Sequence, residues 1–198
     1  INEQVVERIS AISKAAGEKK LKNISDSFEV FSISTEKTAK LNTQVKESFT
    51  ASELKTKKPV VSMIPFKNLN SNEDSAFLID GIFEACLSLI NLNYQIIIIS
   101  NQSGISRGYY TEDDYQKITK WMISQFKKKG VLIIDTYHCP HSPNSDCNCR
   151  KPKPGMLLEA KKKYNINMLE SWMIGDSERD IIAASSAGIK NTILVLQV

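Results

Sequence analysis

Apolar positions along the chain follow two regimes, and the change falls near Pro59. From there on, short apolar runs alternate with stretches of roughly 3.6-residue period, the pattern of a mainly parallel sheet with helices on both faces. It predicts strands over 60–64, 95–100, 131–137, 171–174 and 192–196, and helices over 79–92, 112–129, 155–164 and 180–187. The run Ile96 to Ile99 is apolar at consecutive positions, as a strand buried on both faces requires. Thr111 is the expected cap of the helix at Glu112, whose first turn is acidic, as the helix dipole favours.

Before Pro59 the chain is rich in Lys, Glu, Ser and Thr, with one Gly and no Pro. Ile1, Val5, Ile9, Ile12 and Ala16 recur at helical spacing and predict an amphipathic helix over 2–16, ended near Gly17. From 19 to 58 apolar residues are sparse, with Phe28, Val30, Phe31 and Ile33 as anchoring points. The expected organisation is an N-terminal helical or extended arm over 1–58 and an α/β, Rossmann-like domain over 59–198. The arm's apolar stripe needs a surface, either this chain's own domain or a partner protein subunit.

Composition changes this picture little. With 41% hydrophobic and 24% charged residues the 198-residue chain reads as a soluble globular protein, and no apolar run approaches the ~18 residues of a membrane span. A net charge of +4, spread along the chain, does not argue for nucleic acid. Cysteine usage says more. Of four cysteines, three crowd with a histidine into eleven residues, which reads as metal ligation in a reducing, intracellular compartment, while Cys86 sits in an apolar helical pattern. A chain opening on Ile1 is expected to be a trimmed form, and a mitochondrion or other organelle, after presequence removal, fits that expectation.

Four motifs carry chemistry. The first is Cys139-Pro140-His141, five residues, then Cys147-Asn148-Cys149. Three thiols and one imidazole can close a tetrahedral shell, and a closed Cys3His set describes structural zinc; iron is the alternative, though tetrahedral sulfur-rich ligation favours zinc. His138 beside it reads as a loop residue or an acid/base. The second is Ser100-Asn101-Gln102-Ser103-Gly104 after the buried strand, where a hydroxyl, amides and a glycine turn suit a phosphate. The third is Arg150-Lys151-Pro152-Lys153-Pro154-Gly155, offering positive charge to phosphoryl oxygens. The fourth is Gly175-Asp176 at a strand end, with Asp180 four residues on; Asp176 suits magnesium, and Asp180 is a second carboxylate near it or a helix N-terminal acid.

In this order the motifs resemble the haloacid-dehalogenase superfamily, and within it the heptose-bisphosphate phosphatase and histidinol-phosphatase group. SNQSGISRGYY from Ser100 and CRKPKPGML from Cys149 look like the heptose-bisphosphate branch, the short spacing within the cysteine loop more like the histidinol branch. The likeness covers about Phe77 to Leu196. It implies a phosphate-contacting hydroxyl at Ser100, a phosphate-binding lysine at Lys151 and a magnesium ligand at Asp176, with Asn101, Gln102 and Arg150 around the phosphate.

The resemblance also implies an Asp-x-Asp pair on the first strand, the first aspartate attacking phosphorus. Here that strand reads Val60-Val61-Ser62-Met63-Ile64, followed by Pro65-Phe66-Lys67, without an acid. Asp80 matches the start of the next helix, Glu73 and Asp74 lie in the intervening loop, and Ser62 or Ser75 would need an adjacent base. The expectation is therefore a catalytically inactive phosphatase-like subunit of a larger assembly, holding structural zinc, with magnesium only as a residual site at Asp176. One alternative is an active magnesium-dependent sugar-phosphate (heptose bisphosphate) or histidinol-phosphate phosphatase; another is a sensor that binds a small phosphorylated ligand through Ser100, Asn101, Lys151 and Asp176 without turnover.

Overall fold

A computed structural model of the chain describes residues 13–20, 27–33, 60–63 and 81–195, with side chains from 81 onward. In order, the elements are β1 (Ser13–Lys20), β2 (Ser27–Ile33), β3 (Val60–Met63), α1 (Ile82–Asn91), β4 (Gln95–Asn101), α2 (Ser103–Ser106), α3 (Glu112–Lys128), β5 (Ile133–Cys139), α4 (Gly155–Tyr164), β6 (Trp172–Gly175), α5 (Glu178–Ala187) and β7 (Asn191–Val195). The described strands form one sheet in the order β1-β2-β7-β6-β3-β4-β5, parallel throughout except for the β1–β2 pair.

The α/β pattern after Pro59 is the one expected. In β4, Ile97 and Ile99 face a core with Met156, Leu157, Ala160 and Ala184, while Ile96 and Ile98 face Cys86, Met122 and Phe126 on the opposite side. Helices cover both faces, which is why this strand lacks polar alternation. Phe83 of α1 meets Phe126 of α3 edge to face, centroids 5.1 Å apart. Burial, followed by the charge of Glu84, pushes the Cys86 thiol up to about 12, so this cysteine is a core residue.

Residues 13–16 differ from expectation. They belong to a strand rather than the end of a helix, because β1 pairs antiparallel with β2, with a bulge between Ala15 and Gly17. β2 is rich in aromatic and β-branched residues and pairs with β7 through Val30–Leu194 and Phe31–Val195. Its partner β1 follows by pairing despite its weak strand propensity. The rest of the helix expected over 2–16, the remaining arm residues, and Glu73, Asp74, Ser75 and Asp80 lie outside the described residues. Among the described residues, no helix is long and apolar enough to cross a membrane.

Thr111 caps α3 as expected: its hydroxyl accepts the Asp114 N–H at 3.1 Å, and its own N–H donates to the Asp114 carboxylate at 3.0 Å. Replacing Thr111 with alanine is expected to lower stability by about 1 kcal/mol, read as a lower urea midpoint at unchanged slope.

The topology sets where a ligand can bind. From β3 the chain steps outward to β4 and β5, then returns to the other side of β3 for β6 and β7. The strand order thus reverses between β3 and β6, and a crevice opens at the carboxyl ends of such strands. Those ends are Met63, Asn101, Cys139 and Gly175.

Candidate functional site

All four motifs read from the sequence arrive at this edge of the sheet. Ser100 and Asn101 close β4, Cys139 closes β5, Lys151 precedes α4, and Asp176 follows β6. Lys151 is almost fully buried, 3% exposed. Its ammonium contacts the Asp180 carboxylate at 2.5 Å and donates to the Ile99 carbonyl at 2.8 Å. An ammonium has three protons, so this clamp leaves one for a ligand.

Asn101, expected beside the phosphate, has its side-chain amide bonded to the backbone of Lys151. Its amide nitrogen donates to the Lys151 carbonyl and its amide oxygen accepts the Lys151 N–H, both at 3.0 Å. The two-point contact fixes the backbone that carries the ammonium. Arg150 likewise turns to the loop, its guanidinium donating to the His141 carbonyl at 3.2 Å. Gln102 is buried and donates to the Ser100 hydroxyl oxygen at 2.5 Å. Of the residues expected around a phosphate, Asn101, Gln102, Arg150 and Lys151 are thus tied to protein partners, and Ser100 and Asp176 lie at the carboxyl ends of β4 and β6.

Asp180 plays two parts. Its carboxylate accepts the Ser177 N–H at 3.1 Å, closing the capping box of α5, and it is the counter-ion of Lys151. Gly175 makes room for it: a Cβ at that position would overlap the Asp180 side chain. Sequence reasoning left Asp180 as an acid of uncertain purpose, and the capping pattern Ser177-x-x-Asp180 was the only local signal. Burial, then the neighbouring Asp180 charge, push the Asp176 carboxyl above the usual carboxylate range, with Lys151 acting in the opposite sense. A carboxylate held at a strand end beside a second carboxylate fits a hard divalent cation.

The cysteine loop runs from the end of β5 to the start of α4, where the Gly155 N–H donates to the Asn148 carbonyl at 3.1 Å. The ligand atoms of Cys139, His141, Cys147 and Cys149 all lie within 4.8 Å of one another. Neighbouring pairs are closer: Cys139–Cys149 3.2 Å, Cys139–Cys147 3.7 Å, and His141 Nδ1 to Cys149 and Cys139 at 3.2 and 3.4 Å. An ion with ~2.3 Å bonds to sulfur separates tetrahedral ligands by about 3.8 Å, so the set is close to the required spacing. Charge points the same way. Burial, then Cys139 and Cys147, push the Cys149 thiol up to about 12. For Cys147 burial also acts upward, but the Arg150 N–H and the neighbouring thiols outweigh it and lower the thiol. Crowded thiolates of this kind need a cation to ionise together.

His138, read as a loop residue or an acid/base, is the penultimate residue of β5. Its ring lies against Tyr115, centroids 4.2 Å apart, and its Nε2 sits 3.0 Å from the Glu112 carboxylate. Gln116, and less strongly His138, hold the Glu112 carboxyl below its usual range.

Comparison with known proteins finds relatives both by sequence and by fold. Residues 148–197 match the HAD-hydrolase-like family model. The chain is 49% identical over 112 residues to a D-glycero-alpha-D-manno-heptose-1,7-bisphosphate 7-phosphatase of Photorhabdus laumondii, covering 53% of this chain and 61% of that protein. It is 44% identical over 128 residues to the D-glycero-beta-D-manno-heptose-1,7-bisphosphate 7-phosphatase of Pasteurella multocida, covering 62% and 70% respectively. The crystal structure of the D,D-heptose 1,7-bisphosphate phosphatase of B. bronchiseptica, complexed with magnesium and phosphate, superposes with a TM-score of 0.60 at 26% identity, over 66% of this chain and 76% of that one. Several relatives 40–49% identical are thus named as phosphatases, which overturns the expectation of a catalytically inactive structural subunit. The absence of an acid on one strand had outweighed four matching motifs in that expectation. The sheet order, the clamped lysine, the Cys/His cluster and these relatives lead to one assignment: the chain belongs to the haloacid-dehalogenase superfamily and, within it, to the heptose-1,7-bisphosphate 7-phosphatase group.

Proposed function

We propose that this chain is a magnesium-dependent phosphatase acting on a sugar phosphate of the heptose-1,7-bisphosphate kind, with structural zinc at the Cys/His cluster. The observation that carries the reading is the Lys151 clamp. An ammonium buried between a carboxylate and a strand-end carbonyl is a fixed charge, and fixed charge at the switch point of a parallel sheet suits a phosphoryl group. The names of the relatives supply the substrate class.

Each described residue has a defined part in this reading. Lys151 offers its remaining proton to a phosphoryl oxygen, Ser100 offers its hydroxyl, and Asp176 would hold magnesium. The ion, when bound, supplies charge neutralisation at the phosphoryl oxygens. Residues 60–72 contain no Asp or Glu, so that segment supplies no carboxylate to attack phosphorus. Cys139, His141, Cys147 and Cys149 would hold zinc in a closed shell without an open position, so its role is to shape the loop that carries Lys151.

The test is phosphate release from heptose 1,7-bisphosphate by the zinc-loaded chain with excess magnesium, with histidinol phosphate as the competing substrate. Release is expected from the heptose bisphosphate, and Asp176→Asn is expected to lower it by at least about 10²-fold. A folded, zinc-loaded chain that releases no phosphate from either substrate would overturn the reading.

A further inference from the structure

We infer that Gln102 and Tyr110 form a positioning relay that turns the Ser100 hydroxyl outward, so that its proton is available to a phosphoryl oxygen; the inference rests on reading this edge of the sheet as a phosphate site. A phosphate dianion offers only acceptors, so a serine serves it only by donating. A serine hydroxyl has one proton and two lone pairs, and any neighbour that takes the proton disables it. The orientation of Ser100 is therefore decided by what lies beside its oxygen.

Gln102 lies there, its amide 2.5 Å from Ser100 Oγ at one end and 2.6 Å from the Tyr110 hydroxyl at the other. Two arrangements satisfy these distances. In one, the phenol donates to the amide oxygen and the amide nitrogen donates to Ser100. In the other, the amide is reversed, and Ser100 gives up its proton to Gln102.

The surroundings of Tyr110 choose between them. Its ring lies on Gly104 so closely that a Cβ there would overlap the ring, which fixes where the phenol meets the amide. The amide stands in the first arrangement, its oxygen toward the phenol and its nitrogen toward Ser100 Oγ. The phenol therefore donates to Gln102, Gln102 donates to Ser100, and the Ser100 proton points away from the protein chain. Gln102 is only 5% exposed and its backbone N–H is held by the Cys139 carbonyl at 2.7 Å, so the side chain is fixed at its base and water has little access to its amide. Burial also raises the Tyr110 phenol, which keeps the donor protonated.

The relay accounts for residues of the Ser100–Tyr110 stretch that touch no ligand. Gly104 is needed for the approach of Tyr110, and Tyr110 for the orientation of Gln102. Lys151 is tied to the same strand, its ammonium bonded to the carbonyl of Ile99, the residue before Ser100.

The test reads binding of inorganic phosphate, which does not depend on turnover, by titration calorimetry of the zinc-loaded full chain with excess magnesium. Tyr110→Phe keeps the ring on Gly104 and removes only the hydroxyl. It is expected to weaken phosphate binding about three- to tenfold. Ser100→Ala should weaken it at least as much, and Tyr110→Phe added to Ser100→Ala should cost nothing further. Gln102→Glu, which can only accept from Ser100 when ionised, should weaken binding more than Tyr110→Phe. Equal losses from Tyr110→Phe with and without Ser100 would make the tyrosine merely structural and overturn the relay. No loss from either Tyr110→Phe or Gln102→Glu, or no phosphate binding by the unaltered chain, would also overturn it. Phosphate binding with the expected couplings but without hydrolysis of heptose 1,7-bisphosphate would uphold the relay and overturn the phosphatase reading alone.

Discussion

Replacing Lys151 with methionine is expected to abolish both phosphate binding and turnover, with a loss of more than about 10²-fold, and to destabilise the chain by about 3–5 kcal/mol. Methionine keeps the volume of the stem, so the result would report the charge. The stability cost arises because Asp180, 1% exposed, would keep a buried carboxylate without its counter-ion, and the Ile99 carbonyl would lose its donor. The two effects can be separated. In the double variant Lys151→Met/Asp180→Asn the buried charge is gone, and an asparagine oxygen can still accept the Ser177 N–H that closes the cap of α5. Most of the stability should return in urea denaturation, while phosphate binding should not. Recovery of binding in the double variant would mean that the ammonium is a structural pin and that phosphate is held elsewhere.

What the sequence disclosed followed from whether a residue's partner was local. β4 was legible because consecutive isoleucines admit only a strand covered on both faces, and α3 because Thr111 and Asp114 lie within one helical turn. The Cys/His cluster was legible because its four ligands fall within eleven residues. β5 begins later than expected since Val131 is apolar for another reason: it is buried as a loop residue, its N–H donating to the Phe126 carbonyl at 2.9 Å. The strand at Ser13–Lys20 was not legible, because it owes its conformation to β2 rather than to its own residues. The Lys151–Asp180 pair was hidden for a similar reason. It joins two motifs that meet only when β4 and β6 flank β3 in the folded sheet, and the same is true of Asn101 reaching the Lys151 backbone. The misreading of function came from giving decisive weight to the one strand without an acid, whereas the other motifs meet in the fold through Lys151, Asn101 and Asp180.

Removing metal from the Cys/His cluster is expected to weaken phosphate binding without abolishing it, which distinguishes a structural ion from a catalytic one. The loop is held at both ends of its function: Cys139 belongs to β5, and Cys149 stands two residues before Lys151. Without a cation the crowded thiols take up protons, the bonds that tie the four ligands together are lost and the loop relaxes, and displacement of a charged group by about an ångström can cost up to about 10²-fold. Lys151 would still be gripped by Asn101, Asp180 and the Ile99 carbonyl, so the loss should be about 10- to 100-fold and smaller than in Lys151→Met. The measurement is zinc content by atomic emission, proteolytic cleavage between Cys139 and Cys149, and phosphate affinity, all before and after chelation and in Cys149→Ser. Cleavage should appear as zinc is lost, and Cys86→Ser, altered in the core rather than in the cluster, should keep its zinc. If activity vanished completely while the loop stayed resistant to protease, zinc would have to act on the substrate, and the cluster could not be the closed four-ligand shell that its spacing describes.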